Sequence, residues 1–162
     1  MTRVQQSGQS GGNSVAPKRV DFAYDIAGRF DTITRYANLA GTQLVAQTGY
    51  TYDDASRLTA LTHSKGQTTL AGYTWAYDTK GRLTEYDSTI DGTGDYTYDD
   101  TGQLAAADYS YQTDETYTYD ANGNRTNTGY DTDPNNRLTS DGVYNYEYDD
   151  EGNRVHVSFC DS

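Results

Sequence analysis

Aspartate followed three residues later by Gly, Asn or Ser occurs seven times in this chain, at Asp25, Asp53, Asp78, Asp99, Asp120, Asp133 and Asp149. Six of the seven carry Tyr directly before the acid: YDIAGRF, YDDASRL, YDTKGRL, YDDTGQL, YDANGNR and YDDEGNR, with TDPNNRL as the exception. Asp at the first position of a tight turn accepts hydrogen bonds from backbone N–H groups two residues on, and Gly or Asn supplies the left-handed residue that returns the chain to a sheet. Seven such bends dictate a succession of hairpins. The expected turn residues are Asp25 with Gly28, Asp53 with Ser56, Asp78 with Gly81, Asp99 with Gly102, Asp120 with Gly123, Asp133 with Asn136, and Asp149 with Gly152. Asp133-Pro134-Asn135-Asn136 fits independently, because the fixed φ of Pro suits the second turn position. Ser56 departs from the pattern, since serine tolerates positive φ less well.

The segments entering the turns alternate. Tyr50-Thr51-Tyr52, Tyr96-Thr97-Tyr98, Tyr117-Thr118-Tyr119 and Tyr144-Asn145-Tyr146-Glu147-Tyr148 put aromatics at i and i+2 with a polar residue between, the period of a strand with one aromatic face. After the turn, Arg57-Leu58-Thr59, Arg82-Leu83-Thr84 and Arg137-Leu138-Thr139 continue the alternation. The expected tyrosine ladder is Tyr24, Tyr50, Tyr52, Tyr77, Tyr96, Tyr98, Tyr117, Tyr119, Tyr146 and Tyr148. Aromatic pairs across strands contribute roughly 0.5–1 kcal/mol each beyond burial. The composition requires such a device: Phe, Met and Trp together number five against 17 Tyr, so no Leu/Ile/Val-rich interior forms. Aromatic and Thr content separates the chain from disordered sequences of similar polarity.

The Asp-to-Asp steps are 28, 25, 21, 21, 13 and 16 residues, an array whose shorter steps read as units with trimmed return strands. The fold class expected is all-β, consecutive antiparallel hairpins forming a twisted, curved or spiralling sheet. Residues 1–20 read as a flexible Gln/Ser/Gly-rich leader, 21–159 as the array and 160–162 as a tail. Val4 and Val15-Ala16-Pro17 leave open an edge strand within the leader.

The pattern YxYDxxGRLT, with YDANGNRT as a variant, resembles the YD repeat of the Rhs family, which also occurs in teneurins and in the C component of insecticidal toxin complexes. The resemblance runs from about Phe22 to Arg154. It implies a long sheet of hairpins that spirals into a hollow shell, enclosing a polypeptide cargo in toxin-bearing members. It also implies a bacterial surface or secreted protein, extracellular although the chain carries no signal peptide. Two departures stand out. The DPxxGRF-like motif tied to self-cleavage is absent, since Asp133-Pro134 is followed by Asn135-Asn136-Arg137, and only VHVSFCDS follows the last repeat. Fourteen strands at about 4.8 Å make a strip roughly 65 Å wide, too short to close around a protein.

The functional expectation is therefore a structural, non-enzymatic module with no cofactor and no metal. Its partners would be further copies of itself or flanking YD repeats joined through sheet edges. A polypeptide cargo in a longer parent protein and, as the alternative function, glycans or cell wall bound by exposed tyrosines complete the partner classes. A net charge of -12 repels nucleic acid and anionic lipid, and no apolar run approaches a membrane span. His63 and His156 join no recurring nucleophile, and Cys160 is a single thiol without a base in sequence. Asp131-Thr132-Asp133-Pro134-Asn135 imitates a calcium loop, but Asn136 and Gly142 replace the Gly and Glu such a loop needs. Asp91, Asp95 and Asp99 read as solvated turn, and Asn124-Arg125-Thr126 as a glycosylation pattern whose Asn the turn already explains.

Overall fold

The computed structural model describes residues 1–7 and 16–160. It is all-β, with no helix among the described residues. The strands are β1 (Thr2–Gln6), β2 (Lys18–Tyr24), β3 (Phe30–Tyr36), β4 (Leu44–Tyr52), β5 (Leu58–Lys65), β6 (Thr68–Tyr77) and β7 (Leu83–Ser88). They continue as β8 (Gly92–Tyr98), β9 (Leu104–Tyr109), β10 (Glu115–Thr116), β11 (Tyr130–Thr132), β12 (Leu138–Asp141), β13 (Tyr144–Tyr148) and β14 (Arg154–Phe159). Strands β1 to β10 follow one another in chain order in one open sheet, and β11 to β14 in a second. Every recorded pairing is antiparallel between sequence neighbours, so the topology is hairpin after hairpin. The chain forms two compact units, Met1–Asp95 with Tyr109–Tyr111, and Tyr96–Asp108 with Gln112–Ser162.

Each reversal has the same local cause. At Asp53 the Ser56 N–H donates to the Asp53 carbonyl at 2.9 Å, and the Asp53 N–H donates to the Arg57 carbonyl at 3.0 Å. The same pair of bonds closes the turns at Asp25, Asp78, Asp99, Asp120, Asp133 and Asp149. The fourth turn residue is left-handed in all seven, including the two that are not glycine, Ser56 at φ 64° and Asn136 at φ 60°. The register slips by one residue beside the tyrosine that precedes the acid, between Thr51 and Tyr52, Ala76 and Tyr77, and Glu147 and Tyr148. These bulges re-aim the Tyr away from the strict alternation of the strand.

Within the stretch 1–20, Thr2–Gln6 forms the edge strand β1, with Val4 opposite Val20, and β2 already begins at Lys18. Arg3 Nε donates to Asp21 Oδ1 at 3.0 Å, and Arg19 clasps the same carboxylate, whose side chain is 5% exposed. Val15 and residues 161–162 lie outside the described residues, whereas the Cys160 N–H donates to the Val143 carbonyl at 2.9 Å.

The alternation Tyr117-Thr118-Tyr119 does not extend into a regular strand. Only Glu115–Thr116 pairs as β10, and Tyr119 makes an isolated bridge to Arg125. The 13-residue step from Asp120 to Asp133 explains this, because a second reversal follows the turn almost at once. That reversal uses Gly129 at φ 87°, against which Gly142 packs so closely that a Cβ on Gly129 would lie 2.6 Å from the Gly142 Cα.

Few side chains are buried. Among the described apolar residues only Ile33, Ala71 and Ala107 are, so cohesion comes from half-buried rings and turn contacts rather than from one enclosed core.

Candidate functional site

The chemistry that recurs in this molecule is at its turns. Asp53 Oδ1 accepts from the Arg57 N–H at 2.9 Å, and Asp53 Oδ2 accepts from Arg57 Nε at 2.7 Å. Arg29 returns to Asp25, Arg82 to Asp78 and Arg137 to Asp133 in the same way, each through Nε at 2.7 Å. Asn124 and Asn153 substitute a side-chain amide, at 2.9 Å to Asp120 and 3.0 Å to Asp149. At Asp99 the donors are the Gln103 N–H and the Thr101 hydroxyl.

These donors hold the seven carboxyls below the ordinary carboxylate range. For Asp53, Asp78 and Asp133 the backbone N–H of the fifth turn residue acts most strongly, burial opposes it, and the guanidinium adds to it. For Asp120 and Asp149 the side-chain amides of Asn124 and Asn153 lead, and for Asp99 the Thr101 hydroxyl. At Asp25 burial is the largest influence and favours the neutral acid, but the Arg29 N–H, the Arg29 guanidinium and the Ala27 N–H together outweigh it.

The same arginines reach the next hairpin. Arg57 lies over the Tyr77 ring at 4.7 Å from its centroid, and its Nη1 donates to the Asp78 carbonyl at 3.1 Å. The Tyr77 hydroxyl donates back to the Leu58 carbonyl at 2.8 Å. Arg137, Tyr148, Asp149 and Leu138 repeat this lock, with the ring at 5.0 Å, the Nη1 bond at 3.2 Å and the hydroxyl bond at 2.8 Å. Arg29 lies 4.4 Å over Tyr52 and donates to Ser56 Oγ at 2.9 Å. The tyrosine before each of these acids therefore meets a guanidinium, a placement that alternation alone does not disclose. The sequence does carry a signal for it, the fixed Asp-to-Arg spacing of four residues at Asp25, Asp53, Asp78 and Asp133.

The other ladder positions lie in several environments. Tyr24 stacks on Phe30 at 5.2 Å and Tyr50 tilts against Phe30 at 6.0 Å. Tyr117 lies under Arg125 at 4.5 Å, and Arg125 also covers Tyr130 at 4.4 Å. Tyr119 occupies its bridge to Arg125, Tyr96 lies in β8, and Tyr98 ends β8 at the Asp99 turn. Tyr146 donates its hydroxyl to Asp141 Oδ2 at 2.6 Å. A further ring cluster was not singled out from sequence. Tyr73, Trp75 and Tyr86 tile one face of β6 and β7 at centroid separations of 6.2, 6.3 and 6.4 Å.

His63 Nδ1 lies 3.0 Å from Thr48 Oγ1, which also accepts from Arg35 Nη1 at 2.8 Å. Thr48 is 1% exposed, and the arrangement ties three strands together. His156 faces Glu147 across the β13–β14 pair. Cys160 Sγ contacts Asn145 Oδ1 and Ser140 Oγ, neither of them a base. Asp133 spends its carboxylate on Asn135, Arg137 and the turn, and Asp91 on Ser88. No group of three acidic, His or Cys side chains is placed to hold a metal among the described residues. Asn124 Nδ2, the atom a glycan would need, is engaged by Asp120 and Asn136.

No family model matches this chain, and no curated protein matches it. Solved structures do. TcdB2-TccC3-TEV superposes with a TM-score of 0.51 at 16% identity, covering 98% of this chain and 12% of the matched one. TcdB2-TccC3-Cdc42 gives 0.49 at 17% identity, over 91% of this chain and 11% of the other. The chain thus spans about an eighth of the longer chain's length. The likeness to TcdB2-TccC3-TEV is one of fold, and that fold agrees with the YD-repeat resemblance the motifs carry.

Proposed function

We propose that this chain is a structural module, a stretch of β-wall whose hairpins are fastened to one another at the turns, belonging to a surface or secreted protein of the Rhs kind. The observation that supports it is the link from Arg57 to Tyr77 and Asp78, repeated from Arg137 to Tyr148 and Asp149. An active site is assembled once, whereas here the same acid, guanidinium and phenol are spent again and again on holding adjacent reversals together. In a longer parent chain such a wall would enclose a polypeptide. The test is native-state hydrogen exchange on the intact chain. Amides of β2 to β7 should be protected together, and replacing Arg57 with Met should release those of β5 and β6 first. Exchange indifferent to Arg57 refutes the fastening role.

One observation favours a second reading, glycan binding. The tiled Tyr73, Trp75 and Tyr86 rings present an apolar platform of the kind on which a pyranose ring stacks. A glycan array showing saturable binding that Trp75→Ala abolishes would establish this reading. Silence across the array removes it.

A further inference from the structure

Two open sheets have four edges, and three of them are blunted. β10 is two residues long and β11 three, too short to template a new strand. β1 reads TRVQQ, with one apolar side chain and an Arg tied to Asp21. β14 reads RVHVSF, six exposed residues without Pro, Gly or Lys. Val155, Val157 and Phe159 are 61, 44 and 72% exposed, the largest such run on any strand. Phe159 lies opposite Tyr144, with ring centroids 4.9 Å apart, and Val157 lies opposite Tyr146. The aromatic face of β13 therefore runs onto β14 and stops at a margin that no described residue covers.

The backbone pattern says what fits there. The Cys160 N–H donates to the Val143 carbonyl, so in the alternation of an antiparallel ladder Ser158 and His156 also bond inward, and Val157 and Phe159 turn their N–H and C=O groups outward. A neighbouring strand must present outward groups at the same odd spacing, apolar on the same face. β14 of another copy does both. With a two-fold axis at Ser158, Val157 of one copy faces Phe159 of the other in two hydrogen-bonded pairs. Ser158 then meets Ser158 in a non-bonded pair, and no like charges oppose. The register slip between Glu147 and Tyr148 limits the pairing toward Arg154, so the contact is short and closed at two copies.

We propose that β14 is a homodimer edge, pairing antiparallel with β14 of a second copy about Ser158. This rests on the reading that sheet edges are where this wall meets its partners. The expected result for the full chain is a species of twice the monomer mass in sedimentation, increasing with protein concentration and stopping at two. Ser158→Cys with Cys160→Ser should form an intermolecular disulfide on mild oxidation, because non-bonded antiparallel pairs place Cα atoms about 4.5 Å apart, within disulfide reach. Asn145→Cys with Cys160→Ser, one strand inward, should not. Val157→Lys should return the chain to a monomer with an unchanged far-UV spectrum, and the crosslink decides should that variant misfold. A monomer at every concentration overturns the proposal, as does open-ended growth, which would mean β14 meeting β1, or equal crosslinking at 145 and 158. A monomer that keeps its β spectrum leaves the structural reading standing, whereas a chain with no β spectrum sinks both.

Discussion

The contact between successive hairpins can be isolated at Tyr77. Its hydroxyl makes a 2.8 Å bond to the Leu58 carbonyl while its ring lies 4.7 Å beneath the Arg57 guanidinium. Tyr77→Phe removes the first and keeps the second, and a net hydrogen bond contributes about 1 kcal/mol. Tyr77→Leu removes both. Arg57→Met keeps the aliphatic stem and removes the stacking, the 3.1 Å bond to the Asp78 carbonyl and the 2.7 Å bond to Asp53 of its own turn. Combining the last two in a double-mutant cycle isolates the ring–guanidinium coupling, expected at about 0.5–1 kcal/mol for a half-exposed pair. The chain has one Trp, at position 75 and two residues from Tyr77 in β6, so urea unfolding followed by its fluorescence reports on the site. A Tyr77→Phe variant as stable as the parent, together with a coupling below about 0.3 kcal/mol, would refute the lock, because an effect that small falls within the error of additivity for unconnected sites.

Acid should loosen the wall in a defined window. The turn carboxyls titrate below the unfolded value of about 3.9, so their contribution is complete above that pH and lost as pH falls through the lower folded values. Asp21, drawn down to about 2 chiefly by the Arg19 guanidinium, is the last to let go. The urea midpoint should therefore stay level from neutral pH to about 5 and drop between about 4 and 2, and equal midpoints at pH 2.5 and 7 would contradict it. Gly152→Ala meets nothing within 4 Å at φ 87°, so its cost is conformational alone, about 1–2 kcal/mol by chemical denaturation. Ser56→Gly should change stability by under about 0.5 kcal/mol, since relief of strain at φ 64° is offset by a freer unfolded chain and the lost Arg29 bond. Gly129→Ala should cost more than about 2 kcal/mol, because its Cβ would strike the Gly142 backbone as well as demand positive φ.

Much of this fold was legible because a turn needs particular atoms at particular offsets. A carboxylate four residues before an N–H, and a residue tolerant of positive φ between them, leave a readable trace even where Ser56 or Asn136 replaces Gly. Strand alternation was less secure. Tyr117-Thr118-Tyr119 has the same pattern as Tyr50-Thr51-Tyr52, yet only the latter lies in a long strand, because Asp120 and Asp133 leave too little chain between them for a full hairpin. The partner of each pre-turn Tyr was hidden for another reason. Which residue lies beneath Arg57 depends on a one-residue slip in register at Tyr52 and again at Tyr77, and such bulges have no residue signature of their own. β1 was equally hard to read, since one Val among polar residues gives no period.

The variation among turns has a mechanical consequence. Arg29, Arg57 and Arg137 each close their own turn and then extend a second arm to the following one. Asn124 closes its own turn and reaches forward to the Asn136 side chain instead of a backbone carbonyl, while Asn153 closes the last of the seven turns. Gln103 contributes its backbone N–H to Asp99, and its side-chain amide lies against Gly123 of the following turn without the guanidinium's second bond. In a linear array, stability is the sum of hairpin terms and nearest-neighbour terms, and exchanging Arg for Asn or Gln lowers chiefly the second. Cohesion between hairpins should therefore be stronger from Asp25 to Asp78 than from Asp99 to Asp133. A wall built this way opens at a junction where the arginine is missing before any single hairpin comes apart. The identity of one residue, four positions after each acid, sets where that is.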